Sequence, residues 1–242
     1  MHDLNNLGPR IINYIGDIAI SETVYFGIIV AIVLAIFCLL SARNLKRDPK
    51  GLQAVAELIV ETVYNLVENN MGKKNLTYAP YIGTLFMFLI LGNMLGLFGF
   101  RPTTADVNMT FALAVLTFLI IQGSSIKTHG IKGYLKHFAE PYPFMVPIKI
   151  VEEIAFPVSL GFRLFGNILG GVIIMALVFN GLGALSHDFL HWSIPWLEAV
   201  IPLPANAFFD IFEPILQAFI FTMLTMVFIA KAIVTHDHDE DY

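Results

Sequence analysis

Cysteine is nearly missing from this chain: the single Cys38 excludes an intramolecular disulfide, and because it lies inside an apolar run it carries no message about redox compartment. Charge is scarce as well. Only 14% of the 242 residues are charged against 57% hydrophobic, and the mean hydropathy of +0.72 lies far outside the range of a soluble domain, which points to a chain whose solvent is lipid. The N-terminal M-H-D-L-N-N-L-G-P-R lacks a basic cluster and the first apolar run starts only near Val24, so it does not read as a cleaved signal peptide. No internal repeat and no second domain are visible. The formal net charge of -5 says little by itself, because in a membrane protein placement matters more than the sum.

What is present is a series of long uncharged runs. Residues 24–42 suffice to cross about 30 Å of hydrocarbon at about 1.5 Å per residue. The basic cluster R-N-L-K-R-D-P-K follows, and then 51–71, where Leu52, Val55, Ile59, Val63 and Leu66 recur at helical spacing while Glu57, Glu61 and Glu68 take other faces. This segment is expected to be an amphipathic helix lying along the membrane surface or packed on a partner. Residues 78–100 and 109–126 read as a helical hairpin joined by R-P-T-T-A-D-V-N, and Lys127–Pro147 as a basic, proline-rich loop. Residues 150–182 and 203–232 would each run about 45 Å as straight helices, so both must tilt strongly, kink or lie partly flat, with Pro157 and Pro214 as candidate kinks. The expected fold is an all-α membrane protein of about five membrane-inserted helices plus one amphipathic interfacial helix, in a single polytopic domain.

Basic residues orient it. With 1–23 outside and 233–242 as a cytoplasmic tail, the cytoplasmic side holds Arg43, Lys46, Arg47, Lys50, Lys73, Lys74, Lys127, Lys132, Lys136, Lys149 and Lys231, and the outside only Arg10 and Arg101. Arg163 remains in the membrane, with no acidic or basic neighbour for nine residues on either side. A guanidinium at that depth costs about 2.5–3.5 kcal/mol on insertion scales, so it must face a partner, a cavity or a path. The structural alternative is an internal ion pair with Glu152, Glu153, Asp210 or Glu213.

Helical geometry sharpens the choice. At about 100° per residue, Glu152 stands three turns before Arg163 on nearly the same face and Asn167 one turn after it. Asp210, Glu213 and Gln217, spaced i, i+3, i+7, share a face of the final helix. If Leu203 begins that helix at the outer surface, Asp210 and Glu213 fall in the outer half and Gln217 near the middle, while Glu152 and Glu153 begin the preceding helix from the cytoplasm. Acids that approach a central arginine from opposite faces read as two half-paths with an electrostatic stop between them, where a continuous row would read as a pore.

The segments P-V-S-L-G-F-R-L-F-G-N (Pro157–Asn167), L-Q-A-F-I-F-T-M-L-T (Leu216–Thr225) and T-A-D-V-N-M-T (Thr104–Thr110) closely resemble subunit a of the bacterial F-type ATP synthase, the stator half of its ion channel, and the resemblance covers nearly the whole chain in order. It implies that Arg163 matches the arginine facing the ring of c subunits, Gln217 the glutamine beside it on the last helix, and Asn167 the asparagine of the same motif. It also implies a noncatalytic subunit of the bacterial inner membrane, working with the c ring, the b subunits of the peripheral stalk and the rest of the complex. No cofactor and no nucleic acid partner are expected. Two departures stand out. The family pattern R-L-F-G-N-x-x-A-G-E ends here in Gly170, Gly171 and Val172, so the usual acid on this helix is missing. Seven residues before Gln217, where relatives often carry histidine, stands Asp210, which suggests an outer path rebuilt on the last helix.

The mechanism implied is rotary: an ion enters by one half-path, binds a c-ring carboxylate, travels through lipid on the turning ring and leaves by the other. Arg163 separates the two, and arginine suits the role because it does not readily lose its proton when desolvated. The alternative is a secondary transporter using intramembrane Arg, Asp and Glu, a class that usually shows two related halves. An intramembrane hydrolase would need a nucleophile and base, paired aspartates at depth or a metal triad; Asp210 is the only deep aspartate and no H-E-x-x-H occurs. A passive structural subunit would not need Arg163. His187, Asp188 and His191 form an H-x-x-x-H pattern without a third placed ligand, beside Trp192 and Trp196 that suit an interfacial belt, so no metal site is expected. The tail T-H-D-H-D-E-D-Y reads as a solvated acidic end, and Gly166, Gly170 and Gly171 as a close-packing or smooth face.

Overall fold

The computed structural model describes residues 11–15, 18–43, 46–47, 49–139, 142–185 and 201–233. Hydrocarbon cannot satisfy backbone N–H and C=O groups, so a chain this apolar must close its hydrogen bonds inside helices. Among the described residues, five stretches are long and apolar enough to cross a membrane: Glu22–Ala42, Lys73–Phe98, Val107–Leu135, Val146–Ala184 and Leu203–Ile233. The all-α membrane architecture expected from the hydropathy pattern is the one the chain forms. A short antiparallel hairpin, β1 (Ile11–Ile15) and β2 (Ile18–Ser21), precedes the first helix.

The helices are α1 (Glu22–Ala42), α2 (Leu52–Met71), α3 (Ala79–Asn93), α4 (Val107–Ala139), α5 (Val146–Ala184) and α6 (Leu203–Ile233). Three details differ from the sequence reading. Lys127–Pro147 is not a continuous loop: α4 runs on to Ala139 and breaks only at Gly130, where φ is 69°. No proline interrupts 127–139, and glycine takes a positive φ at no steric cost. α5 begins at Val146, earlier than the expected Ile150, because Pro147 falls in the first turn, where its missing N–H has no helical partner to lose. α5 also continues through Pro157, whereas at Pro214 the expected kink takes the form of a π turn, Phe208–Phe212. Proline 214 cannot donate to the Asp210 carbonyl four residues back, and the helix widens just before it, the Glu213 N–H reaching the Phe208 carbonyl instead.

Contacts among the described residues fall into two compact units, with boundaries inside the long helices. One unit holds residues up to Ala35 with Met87–Thr110 and Arg163–Phe219; the other holds Ile36–Phe86, Phe111–Phe162 and residues from Ile220 onward.

In the second unit the core gathers Val63, Val67 and Met71 of α2 with Ala79, Ile82, Ile121, Met226 and Ile229. The C-terminal half of the amphipathic α2 thus packs inward, while Leu52, Val55 and Leu58 of its N-terminal half are exposed. Phe156 and Phe228 bring α5 and α6 together with ring centroids 3.9 Å apart. Gln53 is buried and closes the loop before α2, accepting from the Lys46 N–H at 3.0 Å and donating to the Lys46 carbonyl at 2.9 Å.

The first unit is tied by polar side chains in an apolar setting. Asp106 caps α4 through Oδ1, which accepts the Asn108 N–H at 3.0 Å, and its Oδ2 accepts the Thr23 hydroxyl at 3.0 Å, joining the start of α4 to α1. Thr104 donates to Asn93 Oδ1 at 2.6 Å. Gly92 leaves room for Thr103: a methyl group at Gly92 would stand inside van der Waals contact of Thr103 Oγ1. Since Thr103 is wholly buried, Gly92→Ala is expected to cost about 1–3 kcal/mol by overpacking. Thermal unfolding in detergent checks this, with Gly123→Ala, where nothing lies within 4 Å, as the control that holds its midpoint.

Candidate functional site

Arg163 sits on α5 with its side chain exposed, and among the described residues it has neither an ion pair nor a hydrogen bond. The internal ion pair weighed from the sequence therefore finds no support there. One turn on, Asn167 Nδ2 donates to Gln217 Oε1 at 2.6 Å and links α5 to α6. Gln217 is 2% exposed, and its Nε2 has no hydrogen-bond partner among the described residues.

Beyond that link the same unit holds a partly open cavity of about 280 Å³. Asn93, Val172, Asn206, Asp210 and Glu213 are among the residues that line it. Its shape depends on Gly171, where a Cβ would lie 2.9 Å from Phe209 Cδ1 and 3.4 Å from Glu213 Oε2, so a bare backbone is what lets α6 approach α5 this closely. The π turn carries Asp210 to the cavity wall and Glu213 follows on the next residue of regular helix. Asp210 and Glu213 are each half-buried, and neither has an ion-pair partner among the described residues. Val172, where the resemblance implies an acid, and Asp210 line one cavity from different helices.

Glu152 and Glu153 belong to the other unit. Glu153 accepts a short hydrogen bond from the Gln122 amide of α4. Glu152 pairs with Lys231 Nζ of α6 at 3.3 Å, and because the two side chains are 63% and 66% exposed the pair contributes little to stability. The expected site residues thus form two groups: Arg163, Asn167, Asp210, Glu213 and Gln217 in one unit, and the two neighbouring glutamates in the other. His187, Asp188, His191 and the acidic tail lie outside the described residues, and among those described no group of three metal-ligating side chains occurs.

Four participants escaped the sequence reading. Gln122 and Lys231 hold the glutamates, yet each looks like an ordinary polar residue near the end of an apolar run. Asn93 lines the cavity from the end of α3, and only its position inside a long apolar segment could have flagged it. Gly171 was noted for its size but not for the acid it admits.

The profile of the ATP synthase A chain family matches residues 23–230. The chain belongs to that family. ATP synthase subunit a of Moorella thermoacetica is 34% identical over 97% of this chain and 100% of its own length. The Bacillus subtilis protein of the same name is 33% identical over 96% and 100% respectively. Subunit a of Propionigenium modestum, described as sodium ion specific, is 34% identical over 83% of this chain and 70% of its own. Family membership and the five spans make the chain a multi-pass membrane subunit of the F-type ATP synthase, with the stator role of that family.

The Asn167–Gln217 bond has a direct check. A double-mutant cycle of Asn167→Ala and Gln217→Ala, followed by thermal unfolding, is expected to show a coupling of about 0.5–3 kcal/mol. Strict additivity of the two single changes would mean that the amides act independently.

Proposed function

We propose that this chain provides two offset half-channels that load and unload ions on a rotating c ring, coupling ion flow to ATP synthesis without taking part in ATP chemistry. One observation carries the reading: Arg163 is exposed in an apolar span with no ion-pair partner among the described residues. A charge so placed calls for a partner on another subunit, and the resemblance in R-L-F-G-N supplies one in the c-ring carboxylate. In this reading Arg163 attracts each arriving ionised carboxylate, favours its deprotonated form and repels a cation that would pass straight through.

The cavity holding Asp210 and Glu213 serves the outer half-channel. Supporting this, its lining includes two carboxylates and no basic residue, and it takes in Val172, so the acid has moved from one wall to the other within a single space. Glu152 and Glu153 serve the cytoplasmic half-channel, Gln122 holding the second carboxylate in place. Asn167 and Gln217 brace α5 and α6 beside the arginine. The arrangement of basic residues supports an N-terminus outside and a C-terminus in the cytoplasm of a bacterial inner membrane, with the c ring, the peripheral-stalk b subunits and lipid as neighbours.

Arg163→Ala tests the central role. The complex is expected to assemble, because the guanidinium's partner lies on the ring, while ATP synthesis from an imposed ion gradient falls to background and passive ion leak persists or rises. Assembled variant complex making ATP at an ordinary rate would sink the mechanism. Asp210→Asn combined with Glu213→Gln is expected to slow ion-driven synthesis by about tenfold or more, equivalent to about 1.4 kcal/mol of barrier. Wild-type rates would remove both acids from the path. Cysteines at 152 and 153 are expected to react with a water-soluble reagent added from the cytoplasmic side, and labelling only from outside would reverse the topology.

A further inference from the structure

The two neighbouring glutamates of α5 are held by chemically different groups. Glu152 is exposed, and its Oε1 lies 3.3 Å from Lys231 Nζ of α6, so a fixed cation holds it. Glu153 is half-buried and has no ion pair among the described residues; its Oε2 accepts a hydrogen bond from Gln122 Nε2 of α4. The carbonyl half of that amide, Gln122 Oε1, makes no hydrogen bond with the described residues. The charged and titratable groups that also act on Glu153 are Glu152, Lys231 and Tyr134.

A cation and an amide differ in what they permit. An ammonium favours the bare carboxylate and offers a carboxylic acid no acceptor, so an acid tied to lysine is discouraged from taking up an ion. An amide carries N–H donors and a carbonyl acceptor on one planar group. Turned one way it donates to the bare carboxylate. Turned by half a rotation about its last bond it accepts from the carboxyl O–H, or lends its carbonyl oxygen to a sodium ion held by the carboxylate.

We propose that Gln122 is a positioning residue whose amide turns over as Glu153 takes up and releases its ion, and that Glu153, in preference to Glu152, is the acid that carries the ion at this end of the path. The inference rests on reading these glutamates as part of the cytoplasmic half-channel. In the structure the amide has its donor side on Glu153, the arrangement suited to the bare acid. After uptake the same side chain keeps the contact through Oε1, so Glu153 holds its place in both states and no second group has to move. Neither orientation brings a net charge with it. Lys231 has a separate duty: by pairing with Glu152 it offsets the like charge that stands beside Glu153.

The test measures ATP synthesis by intact complexes in vesicles, each rate normalised to assembled complex. A potassium diffusion potential drives synthesis in the presence of sodium, so that protons and sodium are driven alike. Gln122→Met keeps the length of the side chain and removes both donor and acceptor, and is expected to lower the rate by about tenfold. Gln122→Lys keeps a donor on Glu153 and strengthens the contact by charge, but it offers no acceptor and holds the acid in its bare form, so it is expected to be at least as slow as Gln122→Met. A bond needed only to hold α4 against α5 would give the reverse order, because the lysine substitution restores it. Wild-type rates in Gln122→Met, or Gln122→Lys faster than Gln122→Met, would overturn the proposal. Should Gln122→Met fail to assemble, Gln122→Lys decides: a slow assembled complex supports the turning amide, while a normal rate, or failure of this variant to assemble as well, makes the bond a structural tie and rejects it. Glu153→Gln is expected to be at least about threefold slower than Glu152→Gln, and equally slow variants or the opposite order would reject the choice of acid. Normal rates in both would bring down the half-channel reading of this pair itself. A slow Glu153→Gln with a normal Gln122→Met would bring down only the amide assignment.

Discussion

A full charge in hydrocarbon needs a counter-charge or water, and the arrangement of this chain follows from where it meets that need. Lys231 and Glu152 meet it with each other, at a place where both are largely exposed. Asp106 meets it with a backbone N–H and a threonine hydroxyl, and in doing so starts a helix. Asp210 and Glu213 face a partly open cavity that is otherwise lined mostly by apolar residues. Arg163, like Asp210 and Glu213, has no ion pair or hydrogen bond with the described residues of its own chain, and it is not among the residues that line their cavity.

Backbone irregularities sit where the side chains require them. A proline at 214 removes one helical donor, the turn before it widens, and the widened turn bears the acid that faces the cavity. Opposite stands Gly171, whose missing side chain is what allows Phe209 and Glu213 to come in. Neither feature would make sense alone, since a wide turn against a larger residue would hold the helices apart.

Much of this was legible in the sequence because membrane insertion speaks through two loud signals, length of apolar runs and isolation of charge. The runs at 24–42 and 203–232 needed only hydropathy, and Arg163 announced itself by having no charged neighbour. The extent of α4 was not legible, since the basic residues after Ile126 resemble a loop by polarity while being good helix formers, and the break falls on a single glycine. The π turn was hidden because Pro214 announces a disturbance without saying whether it bends or widens the helix. In the site, the shared face of Asp210 and Glu213 followed from spacing. Asn93, Gln122 and Lys231 did not, because their partners lie on other helices and amide or ammonium groups carry no mark of what they will meet.

The cavity bordered by both Val172 and Asp210 has a consequence for how related chains are compared. The resemblance implies an acid at Val172 and often a histidine at Asp210, and matched position by position the two departures look unrelated. Both positions border one partly open cavity, so the carboxylate implied on one wall and the carboxylate present on the other share a volume. Substitutions on facing helices that share such a volume are better compared in pairs than singly.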